Sequence, residues 1–388
     1  MNEAILQTEV QEFIHSYHED TAKLAFAGSP FPNVSTSELL QQIESRKAIE
    51  KKLPTWFNEK MIYYPPKLNM EQTSSEKTAR YKAHLVEGKT LADCTGGFGV
   101  DTFYFAKKFD AVTHYETNAA LSQMAAHNFK MLGGTNITCV YRDGIGALEN
   151  TFYDVIFVDP SRRNSSKGKV FYLNDCEPNV PANLDVLMSH CDTLLLKTSP
   201  MLDISVGLEE LANVSEIHVV AVKNEVKELL WLLDKKSNST VKIVAVNHNS
   251  DGLQQFSFNL GETNDTVYGH PSRFLYEPNA ALLKAGAFQY ISEAFRLKKL
   301  HKHSHLFTSD ALREFPGRRF AIEKIIPYNK KEMRRGITFD TANITTRNFP
   351  ESVSTLRKKW KLKEGGNRYL FFTTLENEDK IMLICAKV

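Results

Sequence analysis

The chain changes texture near residue 90. Before it, apolar positions recur at helical spacing: Ser35 and Glu38 have the form of a capping box, and Leu39, Leu40, Ile43, Ala48, Ile49 and Leu53 follow. A Pro-containing stretch, MIYYPPKLNMEQTSSEK, interrupts the pattern, and SSEKTARYKAHLV restarts it as helix. From Thr90 come short apolar runs: TLADCT, AVTHYE, NITCVYRD, YDVIFVDP, DTLLLKTS, EIHVVAV and VKIVAVN. Helix-length stretches such as GVDTFYFAKKF and NAALSQMAAHNFKML separate most of them. The alternation predicts an α/β fold, a doubly wound and mostly parallel sheet covered on both faces. NEVKELLWLLD, between the last two of these runs, reads as helical. The signals are mixed through QQFSFNL, RFLYEPNAALLKAG and LKKLHKHSH. From Gly317 the pattern runs strand, helix, strand, helix and hairpin, enough for a small α/β domain. The division expected is a helical region at 1–85, the sheet domain at 86–250, a connector or small subdomain at 251–316, and the small domain at 317–388.

Composition narrows the class. A length of 388 residues favours two or three domains. With 42% hydrophobic and 24% charged residues the chain is neither disordered nor collagenous nor a coiled coil. No apolar run approaches the roughly 18 residues that span a bilayer, and the acidic N-terminus lacks the form of a secretory signal. Five scattered cysteines without a C-x-x-C pair argue against a disulfide framework or zinc knuckle, so a reduced, cytoplasmic setting is expected.

The net charge of +2 hides an asymmetry. From Arg296 to Val388 there are 21 Lys and Arg against 10 Asp and Glu, and the rest of the chain carries a net −9. A basic tail on an acidic body is what a polyanion-binding appendage would look like, and a tail with well-solvated faces would give the same count. Arg318-Arg319, Lys330-Lys331, Arg334-Arg335 and Arg357-Lys358-Lys359 supply the charge, beside Phe320, Tyr328 and Trp360. The paired cations read as phosphate contacts, the aromatics as core. His301-x-His303-x-His305 lacks a Cys or carboxylate partner at ligand spacing and reads as a basic surface segment, with no metal expected.

The strongest local signal is LADCTGGFGVDT. A strand runs into Gly96, Gly97 and Gly99 and a helix follows, the arrangement that brings a ligand against backbone N–H groups. Glu116 ends the next strand, 19 residues after Gly97, near the offset at which a carboxylate accepts ribose hydroxyls. A dinucleotide fingerprint counted from Gly97 would need glycine where Thr102 stands. Asp93 and Asp101 suit a cationic amino-acid end better than a diphosphate. S-adenosyl-L-methionine is therefore the expected cofactor. Asp143, after the third strand, would project into the same crevice, where an adenine amino group could be held, and reads equally well as a turn or N-cap aspartate before Gly144. At the end of the fourth strand, Asp159-Pro160-Ser161-Arg162 sets a rigid exit that aims a carboxylate and a carbonyl at a nucleophile.

Asp93 to Gly99, Glu116, Asp143 and Asp159 to Arg162 together resemble the ordered motifs of class I S-adenosylmethionine-dependent methyltransferases. MEQTSSEKTARYKA, KGKVFYLNDCEPNV and ANITTRNFP…GGNRYLFFTT resemble one bacterial family in which such a Rossmann-like domain precedes a THUMP-like domain, from about residue 60 onward. The resemblance implies methyl transfer to RNA by direct displacement, with the nucleophile held at Asp159 and Pro160. It places Asp93, Thr95, Gly96, Gly97 and Gly99 at the methionine end, Glu116 at the ribose and Asp143 at the adenine. Arg162, Arg163, Arg334, Arg335, Lys358 and Lys359 would hold the RNA. Arg162 stands where amino-directed relatives carry an aromatic residue, although a guanidinium can also stack on a base. The fold implied ends in a strand hairpin, where NEVKELLWLLD reads as helical. A small-molecule or protein methyltransferase, or a catalytically silent RNA-binding protein on the same scaffold, are the alternatives.

Overall fold

The computed structural model describes every residue of the chain except 150, 163–171, 236–239, 251 and 263–265. It divides into two units, Met1–Glu216 with Leu229–Ser239, and Ile217–Glu228 with Thr240–Val388. Among the described residues no helix is long and apolar enough to cross a membrane.

The first unit opens with six helices: α1 (Thr8–Ser16), α2 (Thr21–Ala27), α3 (Thr36–Ile49), α4 (Pro54–Asn58), α5 (Lys67–Gln72) and α6 (Glu76–Leu85). The capping box is formed: the Glu38 N–H donates to the Ser35 hydroxyl and the Ser35 N–H to the Glu38 carboxylate. It satisfies two N-terminal donors of α3 that the helix itself cannot. Leu39, Ile43 and Ile49 are buried along α3, together with Trp56 and Tyr64 beside it.

The sheet follows as β1 (Thr90–Asp93), α7 (Val100–Phe105), β2 (Ala111–Glu116), α8 (Ala119–Met131), β3 (Ile137–Tyr141), β4 (Tyr153–Val158), α9 (Val180–Ser189), β5 (Cys191–Thr198), α10 (Ile204–Glu210), β6 (Val214–Val222) and β7 (Glu225–Asp234). In this unit the order is β3-β2-β1-β4-β5-β7, the first five parallel and β7 antiparallel to β5. Val112, Val155, Ile156 and Leu194 to Leu196 are almost wholly buried, the continuous apolar pattern of strands covered on both faces. The chain steps outward from β1 to β3, then returns to place β4 on the other side of β1. That reversal opens a crevice beyond the carboxyl ends of β1 and β4.

Residues 225–234 are a strand, not the helix that NEVKELLWLLD suggested. Glu228 to Trp231 are buried without a break, so neither a period of 2 nor of 3.6 shows. The informative signal was the turn. Lys223 and Asn224 both have positive φ, 52° and 63°, the backbone of a type I′ hairpin.

In the second unit β8 (Lys242–Asn249) and β9 (Gly252–Asn259) form an antiparallel hairpin. A further sheet is built from β10 (Phe274–Pro278), β11 (Phe307–Ser309), β12 (Gly317–Pro327), β13 (Asn343–Arg347), β14 (Arg368–Thr374) and β15 (Lys380–Lys387). Its order is β11-β10-β12-β15-β14-β13, with the two-residue strand Lys298–Lys299 beyond β11. Helices α11 (Ala280–Ala285), α12 (Phe288–Ala294), α13 (Lys330–Gly336) and α14 (Val353–Trp360) complete the unit. Alternating strand residues feed two cores, one holding Leu275, Phe320, Phe371 and Leu383, the other Met333, Leu356, Phe372 and Met382. Phe320 is therefore core, and Trp360 packs half-buried against the second cluster. The histidine run departs from a surface segment: His301 is buried, with Nδ1 beside the His303 N–H and the Asn348 amide, and only His303 is exposed.

Candidate active site

β1, β4 and β5 are parallel neighbours, so their carboxyl ends line up and deliver side chains to one rim. Register pairs Asp93 with Phe157 and Val158 with Leu196, which sets Asp159 beside Lys197, with Asp93 level with the residue two before Asp159. Asp93 is 1% exposed. Its two carboxylate oxygens accept the Thr102 hydroxyl at 2.6 Å and the Thr95 N–H at 3.1 Å. Burial pushes its pKa up to about 7, helped by the negative charges of Asp101 and Asp159 and opposed by those two hydrogen bonds. The Thr95 hydroxyl in turn accepts the Asp159 N–H at 2.7 Å, fastening the exit of β4 to the turn after β1.

The three glycines of that turn have different reasons. A Cβ at Gly96 would lie 2.3 Å from the ring of His114, and one at Gly99 would lie 2.2 Å from the ring of Phe129. Gly99, at φ +86°, also caps α7 in the left-handed region. Only Gly97 looks into space, its nearest neighbour being the Thr95 carbonyl at 3.8 Å. The Gly97 N–H donates to Glu116 Oε2 at 2.9 Å, and the Asn118 N–H to Glu116 Oε1 at 2.7 Å. Glu116 thus reaches the glycine turn, and its carboxylate is held by backbone donors.

Asp143 is exposed beyond β3, where its Oδ2 accepts the Gly146 N–H at 3.0 Å. Gly144 lets this loop lie against β1, since a Cβ there would be 2.5 Å from the Cys94 backbone. Thr117, Asp143, Ile145, Glu177, Asn183 and His190 are among the residues that line a cleft of about 860 Å³, whose lining does not include Asp93, Gly97, Glu116 or Asp159. This volume falls in the range of small-molecule sites.

Asp101, read as suited to a cationic amino-acid end, is engaged within the fold. Lys82 of α6, fully buried, lies 3.2 Å from Asp101 Oδ1, and the Ser74 hydroxyl donates to Oδ2 at 2.7 Å. The run SSEKTARYKA is thus a brace that ties α6 to α7. Glu76 joins it, accepting the Thr55 hydroxyl at 3.0 Å.

Sequence reasoning missed Lys197. Its ammonium is ion-paired with the Asp159 carboxylate, and the two side chains are 14% and 34% exposed. A lysine inside the apolar run TLLLKTS was the signal available, because a strand buried on both faces admits a charge only where a partner awaits it. Pro160 follows Asp159, and Ser161–Arg162 form a short antiparallel ladder with Cys176–Glu177. The side chain of Arg162 and all of Arg163 lie outside the described residues. So does part of the KGKVFYLNDCEPNV loop. Among the described residues no group of three His, Cys, Asp or Glu is placed to hold a metal ion.

In the second unit the tail cations differ in their surroundings. Arg334 and Lys358 are exposed on α13 and α14. Arg335 lies 3.6 Å from Glu332. Lys359 is bonded to Glu351 and to the Tyr328 hydroxyl, both at 2.9 Å. Arg318 and Arg347 converge on the buried carboxylate of Glu277.

Comparison with known proteins gives two family matches, a THUMP domain-like family over residues 317–387 and a ferredoxin-like domain over 274–316. An inferred methyltransferase from Porphyromonas gingivalis W83 is 31% identical, with all of this chain and 98% of that one covered at a TM-score of 0.89. An rRNA methylase from Streptococcus thermophilus is 15% identical over 42% of this chain and 95% of that one, TM-score 0.31. An O-methyltransferase from Bacillus cereus, solved in complex with SAH, is 12% identical over 43% and 87%, TM-score 0.33. A search of the curated proteins found no match.

Proposed function

The chain belongs to the bacterial methyltransferase family that ends in a THUMP-like domain, and from that premise we propose that it transfers the methyl group of S-adenosylmethionine to RNA. The observation that carries the cofactor half is the set of carboxylates Asp93 and Glu116, which end β1 and β2, and Asp143, two residues beyond β3 and in the lining of a cleft of about 860 Å³. An adenosine and a cationic amino-acid end need such acceptors. Gly97, open to space, is where the ligand would approach the backbone, with Thr95, Gly96 and Gly99 holding the turn in shape. When bound, S-adenosylmethionine supplies a methyl group on a sulfonium, which leaves as a neutral thioether.

This chain's own residues then have to align a nucleophile and take its proton. Asp159, fixed by Thr95 and followed by the rigid Pro160, is assigned that task. The RNA half rests on charge: an excess of 11 cations from Arg296 onward, with Arg334 and Lys358 exposed. The test is incubation of the purified protein with methyl-labelled S-adenosylmethionine and total bacterial RNA. Label that becomes soluble on ribonuclease treatment is the expected result. Label confined to protein or to small metabolites would overturn the RNA reading.

A further inference from the structure

The charge beside the nucleophile position differs from what a free Asp159 would give. Asp159 is assigned to take the proton of the nucleophile, but its carboxylate is shared with the Lys197 ammonium at the adjoining strand end. An amino nucleophile gains positive charge as it attacks a sulfonium methyl, and an ammonium next to it raises that barrier by simple repulsion. A hydroxyl nucleophile behaves in the opposite way. It attacks usefully only as its proton leaves, so negative charge grows on its oxygen, and a fixed cation in a partly enclosed site stabilises that charge. A carboxylate and an ammonium held together are therefore matched to oxygen. From this pair we infer that the methyl acceptor is a hydroxyl oxygen and, on the RNA reading above, the ribose 2′-hydroxyl, which every internal nucleotide of RNA carries.

The step balances as follows. The hydroxyl oxygen supplies the electron pair of the new C–O bond while the methyl–sulfur bond breaks and its pair returns to sulfur. The hydroxyl proton passes to the Asp159 carboxylate and from there to water. Lys197 keeps its proton and stabilises the oxygen through the transfer. Thr95, accepting the Asp159 N–H, keeps the carboxylate on the rim.

Alkaline hydrolysis of the labelled RNA tests the product, because a 2′-O-methyl group blocks cleavage at its own phosphate. Label in alkali-stable dinucleotides is expected. Label in mononucleotides would mean base methylation, overturning the hydroxyl acceptor while the RNA reading stands. No label in RNA, with small metabolites labelled, would overturn both. The role of Lys197 is read separately with K197M and K197R. Asp159 is one-third exposed, so K197M leaves a solvated carboxylate and not a stranded one. K197M should lower turnover about 10²–10³-fold. Its calorimetric affinity for S-adenosylmethionine should equal that of the wild type, which a collapsed or misfolded site would not give. K197R, which keeps a cation, should recover part of the loss. Wild-type turnover in K197M would remove Lys197 from the reaction.

Discussion

Charge is handled in opposite ways in the strand-end site of the first unit and on the helical face of the C-terminal sheet. At the strand ends almost every charged group is engaged inside the fold: Lys82 with Asp101, Lys197 with Asp159, Glu116 with two backbone N–H groups, Asp93 with Thr102 and Thr95. On α13 and α14, by contrast, Arg334 and Lys358 stand in water. Buried charges cost much when a partner is lost and are fixed in place, which suits chemistry. Exposed cations cost little, move freely and are screened by salt, which suits holding a polyanion. The difference teaches that substitutions in the first region should be felt as stability and turnover, and those in the second as salt-dependent affinity.

The hardest blow to that contrast would come from Lys82. Lys82→Ala strands the Asp101 carboxylate in the interior, and breaking such a pair costs about 3–5 kcal/mol. Urea unfolding should show a loss of that order. A loss below about 1 kcal/mol would mean that the brace between α6 and α7 is solvated.

Asp93 sharpens the same point through pH. In the fold it keeps its proton to about pH 7, whereas an unfolded aspartate releases it near 3.9. Between those values the folded chain binds more protons, so Asp93 makes stability fall as pH rises from about 4 to about 7. Asp93→Asn should flatten that decline, so that its stability relative to wild type rises between about pH 4 and pH 8. Parallel profiles for the two proteins would show that Asp93 is ionised throughout. A cationic ligand group beside Asp93 should also lower its pKa, so binding of S-adenosylmethionine near pH 7 is expected to release a proton, measurable by calorimetry in two buffers.

Glu116→Ala comes next. Losing a charged acceptor should weaken S-adenosylmethionine binding by roughly 1.5–3 kcal/mol. The Gly97 amide loses its partner as well, so Glu116→Gln, which keeps an acceptor oxygen, should fall between. Unchanged affinity in a folded Glu116→Ala protein would take Glu116 out of the cofactor site.

How far the sequence disclosed all this follows from the physics of each signal. The parallel strands were legible because strands covered on both faces read as apolar runs, and the capping box because its two side chains have a fixed spacing. β7 was not, because unbroken burial erases the period and only the Lys223–Asn224 turn marked it. Glu116 could be read from spacing, since one strand–helix–strand unit has a near-constant length. Lys197 and the Lys82–Asp101 brace could not. Their partners are 38 and 19 residues away, and pairing across strands and helices is set by register, which no local pattern records. Nor does a local pattern tell an exposed cation such as Arg334 from an engaged one such as Lys359.

That last distinction gives the finest test of the contrast. Arg334, Arg335, Lys358 and Lys359 look alike in sequence, but Lys359 is held by Glu351 and Tyr328, and Arg335 lies near Glu332. A cation already sharing an acid must give up that partner before it neutralises a phosphate, and an exposed ion pair is worth up to about 1 kcal/mol. Arg334 and Lys358 have nothing comparable to give up among the described residues. Each phosphate neutralised on a single strand contributes about 0.7 to the slope of log affinity against log salt. Charge reversal of Arg334 and Lys358 together should therefore weaken binding to total RNA and flatten the slope by up to about 1.4. Reversal of Arg335 and Lys359 should change it by less, while S-adenosylmethionine affinity stays at the wild-type value in both. Gel-shift titrations at several salt concentrations, with light scattering alongside, separate the outcomes. Equal slopes for the two double variants would show that the acids on these helices do not tune the cations. A wild-type slope for both would mean that α13 and α14 do not touch RNA, and a change in molecular mass would assign them to self-association instead.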